Sequence, residues 1–170
     1  MKVFIASTLL CLAALGFAQG HDSNVPSAKL KDIAFILGSR NGKQNFQMGE
    51  GKTMAADISS SVTEEVGDRF IQEKTTTTLP SGKKGYAVHM IGYDAKAGLY
   101  KVWWFNDTSP NPQMLQGSFD GTKLVMNTVP DAQGPTFRAT YTKGDGSWTY
   151  QLELKQGADW RTLFVTNYGK

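Results

Sequence analysis

The chain has 170 residues, 40% hydrophobic and 19% charged, with 18 Gly and 6 Pro. This is the composition of about one globular domain, and it excludes a disordered or collagen-like chain. Its 18 Lys+Arg and 15 Asp+Glu leave +3, dispersed in ones and twos, so no basic block marks a nucleic-acid partner.

Met1-Lys2 opens the chain with one positive charge. Val3 to Leu15 follows as an apolar run too short to span a bilayer, and small residues lie beyond it. This is the pattern of a secretory signal peptide over residues 1–18, with cleavage after Ala18 or after Gly20. The protein is therefore expected in the periplasm or the extracellular medium. Cys11 would be a lipidation site only if a small residue preceded it, and Leu10 is bulky. Removal of the segment takes the single cysteine with it, so disulfides and thiol ligands are excluded from the exported form. No second apolar run of membrane length follows.

Residues 19–28 read as a flexible polar leader, and 29–170 as a single domain. Leu30, Ile33, Ala34 and Leu37 fall at i, i+3, i+4 and i+7, which predicts a short amphipathic helix ending at Gly38. Short runs rich in Thr, Val and aromatic residues follow. Turn signals separate them, among them Asn41-Gly42, Pro80-Ser81-Gly82, Ser109-Pro110-Asn111-Pro112 and Asp120-Gly121. The runs predict strands at 43–49, 52–62, 69–78, 85–93, 99–106, 113–119, 123–129, 136–143, 147–156 and 160–168. In the second, Met54, Ala56 and Ile58 share a face; in the ninth, Trp148, Tyr150, Leu152 and Leu154 do. Asp120-Gly121 between two apolar runs is the strongest hairpin signal. The segment from Tyr100 to Phe105 is apolar on both faces, so its outer side must meet something besides water. About ten short strands joined by tight turns leave no room for crossover helices, and the expected fold is all-β: a closed antiparallel up-and-down barrel preceded by one short helix. Barrels of that size enclose a cavity.

The chemistry on offer is thin. His21 sits in the leader, and His89 shares a strand face with Ala87, Ile91 and Tyr93. A metal site needs three or four ligands, so no metal centre and no cofactor are predicted. No Gly-x-Ser-x-Gly elbow and no phosphate-cradling glycine loop are present. Glu64, Glu65 and Asp68 cluster at a turn without the spacing of an ion loop, and read as solvated charges. Asn106-Asp107-Thr108 fits a glycosylation sequon, which matters only in a host that glycosylates. Arg138 lies in Thr136 to Tyr141, where an inward guanidinium would anchor a carboxylate and an outward one would pair on the surface. The aromatic residues are core first, and lumen lining only where the barrel turns them inward.

From Gly92-Tyr93-Asp94 through Leu99-Tyr100, Trp103-Trp104-Phe105-Asn106-Asp107 and Gln116-Gly117-Ser118-Phe119-Asp120-Gly121, the chain resembles a family of exported bacterial proteins of unknown function. That family carries a Gly-Tyr-Asp turn, a Trp-Phe-x-Asp strand end and a Gly-x-x-Asp-Gly hairpin. It is similar in architecture to calycins, the lipocalin and fatty-acid-binding barrels, so the resemblance implies a closed barrel with a central cavity and assigns no activity. Leu37-Gly38-Ser39-Arg40 departs from it: Gly-x-Trp is the pattern there, and the missing Trp removes a plug from the closed end. Haem-binding relatives among small calycin-like barrels use a histidine late in the chain. None follows His89, so haem is not expected.

The residues therefore point to a binder of a small, largely apolar molecule, with His89, Tyr93, Trp104, Arg138 and Tyr141 as candidate ligand contacts. No catalytic residue is assigned. The alternatives are a small-molecule isomerase or hydrolase working through one pocket residue, and an interaction module of the cell envelope. Oligomeric state has no signature in the sequence.

Overall fold

The computed structural model of the chain describes residues 25–49, 51–129 and 134–169. The expected signal peptide, its cleavage sites, Cys11 and His21 lie outside the described residues. An α-helix, α1 (Val25–Asp32), and a 3-10 turn (Ala34–Ile36) precede ten strands. These are β1 (Gly38–Gly49), β2 (Lys52–Glu65), β3 (Phe70–Thr78), β4 (Lys84–Asp94), β5 (Leu99–Asn106), β6 (Ser109–Phe119), β7 (Lys123–Thr128), β8 (Phe137–Lys143), β9 (Trp148–Gln156) and β10 (Asp159–Tyr168). Every strand pairs antiparallel with its sequence neighbours, and β1 pairs with β10, so the sheet closes on itself and leaves no free edge.

Alternation builds the lumen. In β2, Ala56, Ile58, Ser60 and Val62 are buried while Ala55, Asp57, Ser59 and Ser61 are exposed, the period of a strand with one face inside. Trp148, Tyr150 and Leu152 do the same in β9. Between β6 and β7, Gly121 takes φ +99°, and the Asp120 carboxylate accepts the N–H groups of Thr122 and Lys123 at 2.8 and 2.7 Å. On the outer side of Tyr100 to Phe105, Trp103 packs edge-on to Phe70 at 6.1 Å, while Phe105 is exposed.

Three local expectations change. The single helix divides at Ile33 (φ −106°, ψ 14°), with the α-helical part running back into the stretch read as a polar leader. The residues that end up fully buried are Leu30, Ile33 and Ile36, at i, i+3 and i+6, and a final 3-10 turn keeps that three-residue spacing on one side. Asn41-Gly42 is no turn but the middle of a longer β1. A Cβ on Gly42 would lie 2.3 Å from the Asn167 carbonyl oxygen, so the glycine serves a close approach of β10. Ser109-Pro110-Asn111-Pro112 belongs to β6, and the chain reverses before it, where the Asn106 side-chain oxygen accepts the Thr108 N–H at 3.0 Å. The two prolines fall between the paired residues Ser109 and Gln113, at a register shift where a missing N–H breaks no ladder bond.

α1 and the 3-10 turn stopper one end of the barrel. Leu30, Ile33 and Ile36 join a cluster with Val62, Ile71, Ile91 and Val102, Tyr100 donates to the Lys29 carbonyl at 2.7 Å, and Phe35 stacks on Phe119 at 6.0 Å. Each such burial is worth about 1.5–3 kcal/mol. The other half of the lumen is not filled in this way.

Candidate functional site

Where the packed half gives way to the open half, a buried carboxylate forms a floor. β3 points Ile71, Glu73, Thr75 and Thr77 to one side, and Glu73 stands opposite His89 of β4 in the ladder. Glu73 is 2% exposed and His89 5%, so both are out of bulk water. The Ser60 hydroxyl donates to Glu73 Oε1 at 2.9 Å. On Oε2 converge the Tyr141 hydroxyl at 2.8 Å and His89 Nδ1 at 2.9 Å, with 3.0 Å between Tyr141 and Nδ1. An unpaired carboxylate this deep would be prohibitively costly, and three partners are what make it tolerable.

Burial alone would push the Glu73 carboxyl up. The hydrogen bond from His89, followed by those from the hydroxyls of Tyr141 and Ser60, outweighs it and holds the group below its ordinary value, so the floor is an anion. Tyr141 responds in the opposite sense: burial, then the Glu73 charge, holds its phenol well above the ordinary range.

Above this floor lies a cavity of about 500 Å³, open toward the β3–β4 and β5–β6 hairpins. Phe46, Met54, Ile58, Trp104 and Phe164 supply apolar wall, while His89, Glu73, Thr75, Thr77 and Gln44 supply a polar strip. The Thr77 hydroxyl donates to the Gln44 side-chain oxygen at 2.8 Å. Lys83, Lys84 and Asp107 stand at the mouth. An apolar chamber of this size with a few fixed polar groups has the make-up of a small-molecule site. Among the described residues, no group of three or more His, Cys, Asp or Glu side chains could hold a metal ion.

A model of the family described as protein of unknown function (DUF1579) matches residues 26–168. The chain belongs to the DUF1579 family. This DUF1579 barrel is also similar to the crystal structure of Rv2717c from M. tuberculosis, with 15% sequence identity and a TM-score of 0.65 over 84% of this chain and 96% of that one. At that identity the likeness is one of fold. No curated protein matches.

Of the five residues expected to contact a ligand, the DUF1579 barrel brings three together. His89 and Trp104 line the cavity with rings 6.0 Å apart, and Tyr141 stands behind His89, joined to it through Glu73. Tyr93 lies toward the stoppered end, edge-on to Tyr100 at 5.1 Å. Arg138 is on the outer face, where it grips Glu153 with two bonds of 2.6 and 2.9 Å and lies 4.4 Å over the Trp160 ring. The outward alternative holds for it because Ala139 and Tyr141, on either side of Thr140 in β8, are the buried positions. Glu73, Ser60 and Gln44 went unpredicted. The available signal was the alternation of Glu73 with Ile71, Thr75 and Thr77, which puts an acidic residue in phase with an apolar one.

Proposed function

We propose that this DUF1579 protein binds a small, largely apolar molecule in the open half of its barrel. The observation that carries the reading is the asymmetry of the lumen: one half is filled by α1 and core side chains, while the other keeps about 500 Å³ of apolar-walled space above a floor set by the hydrogen-bonded Glu73 carboxylate. A ligand burying about 300 Å² of apolar surface there would gain roughly 7 kcal/mol before the costs of association. The N-terminal apolar segment supports export, which makes the molecule a periplasmic or secreted carrier. A second reading, a small-molecule isomerase or hydrolase, draws on the Glu73–His89 pair, since an imidazole oriented by a carboxylate in an apolar-walled pocket is suited to general-base work.

The test is a titration with N-phenyl-1-naphthylamine, a neutral probe that brightens in apolar surroundings. Wild type is expected to bind one equivalent saturably. Ala87→Phe, which puts a ring into the cavity from a wall position in β4, is expected to abolish the signal with the far-ultraviolet spectrum unchanged. Equal titration of both proteins, or of neither, would remove the binding reading.

A further inference from the structure

The floor of the lumen carries a charge and a lone pair, and together they restrict what can rest on it. A carboxylate oxygen only accepts hydrogen bonds, so both groups that approach Glu73 Oε2 within 2.9 Å must donate. Tyr141 has one hydroxyl proton and directs it at Glu73, so the imidazole proton of His89 sits on Nδ1. In the neutral ring Nε2 is then an unprotonated acceptor, and His89 is one of the cavity's lining residues. Among the described residues, no lysine or arginine forms an ion pair with Glu73, so beside a neutral His89 ring its charge is not cancelled. Its field is felt across the chamber: Tyr150 and Tyr168, which also line the cavity, have their phenols pushed up, first by burial and next by the charge on Glu73.

We infer that the lumen selects a ligand whose inner end is an uncharged hydrogen-bond donor of the phenol type, donating to His89 Nε2, and disfavours a carboxylate of the same shape. The inference rests on the cavity-binding reading above and names its ligand class. A hydroxyl completes a relay in one direction: ligand O–H to Nε2, then Nδ1–H to Glu73. A carboxylate in the same place sets lone pair against lone pair and adds a second negative charge close to one that is already withdrawn from bulk water.

The experiment is a matched-head titration at neutral pH by calorimetry, using 2-naphthol, 2-naphthoate and naphthalene, which share one apolar body. Naphthol is expected to bind at least tenfold more tightly than naphthoate. In Glu73→Gln the charge is gone and the side-chain amide can donate to Nδ1, which moves the ring proton to Nε2; the preference for naphthol over naphthoate is expected to fall at least tenfold. Nitrogen-15 spectra of the wild-type histidine ring, expected to show the proton on Nδ1, decide the tautomer even if that variant does not fold. Naphthoate binding as tightly as naphthol, or a His89 ring with a proton on Nε2, alone or together with one on Nδ1, overturns the inference and leaves the cavity reading standing. Failure of all three compounds to bind overturns both.

Discussion

Tyr141→Phe removes one hydroxyl and nothing else, because the ring keeps its packing on Tyr150 at 4.7 Å and Trp148 at 5.7 Å. The lost bond is charge-assisted and buried, and it reaches, at 2.8 Å, a carboxylate that is only 2% exposed. Hydrogen bonds to charged groups are worth about 1.5–3 kcal/mol, so urea unfolding followed by tryptophan fluorescence at pH 7 should show a loss in that range. At roughly 2–4 °C per kcal/mol for a domain of this size, Tm falls by about 3–12 °C. The loss has a pH signature whose sign follows from Glu73. Its folded pKa is below the ordinary 4.5, so the stability it contributes is complete above 4.5 and disappears as pH falls through the folded value. Tyr141 is one cause of that depression, so the penalty of the substitution must shrink over the same interval. A cost under about 0.5 kcal/mol at pH 7, or one that stays constant from pH 7 down to the acid transition, would refute the account of the floor as a stabilised carboxylate.

Arg138→Ala should cost about 1–2 kcal/mol in the same unfolding assay, because it strands the nearly buried Glu153 and uncovers Trp160. That figure is discounted for the guanidinium's 32% exposure, and probe affinity should stay within about twofold, since the residue is outside the lumen. Val66 holds φ +53° at the β2–β3 hairpin with its side chain 67% exposed, a conformation a β-branched residue adopts only under strain. Val66→Asn should therefore raise stability by about 0.5–1 kcal/mol, read as a higher urea midpoint at unchanged slope; a lower midpoint would locate the strain elsewhere.

The barrel was legible in the sequence because its information is local and repeated. Hairpin residues such as Asp120-Gly121 and period-two runs such as Ala56 to Val62 each specify a strand or a turn without reference to distant residues. The errors occurred where a residue answers to a neighbour far along the chain. Gly42 has the look of a turn, yet it is glycine because Asn167 of β10 comes within 2.3 Å of where its Cβ would be. The site divides along the same line. His89 and Trp104 could be picked as inward aromatics, whereas the group that organises them, Glu73, is one acidic residue in a Thr-rich strand. Its partners Ser60, His89 and Tyr141 come from β2, β4 and β8, and only closure of the barrel brings the last of these across the lumen. Arg138 failed as an anchor for the same reason, since one step of register separates lumen from surface.

The two ends of the barrel are linked through what is missing from Gly38-Ser39-Arg40. Where the resemblance to calycins calls for Trp, this chain has Arg40, whose guanidinium donates to the Ser39 carbonyl at 3.2 Å. The closure comes instead from Leu30, Ile33 and Ile36, which are contributed from outside the sheet. With one end stoppered by α1 and the centre floored by Glu73, the cavity opens toward the hairpins that carry Lys83, Lys84 and Asp107. On the proposed reading, a ligand entering there would be oriented before any specific bond forms, its leading end reaching His89 and its trailing end staying among the charged residues of the mouth. An elongated molecule with one donor head would then have one productive orientation, and a head matched to the lone pair on Nε2 would distinguish it from other apolar guests of the same volume.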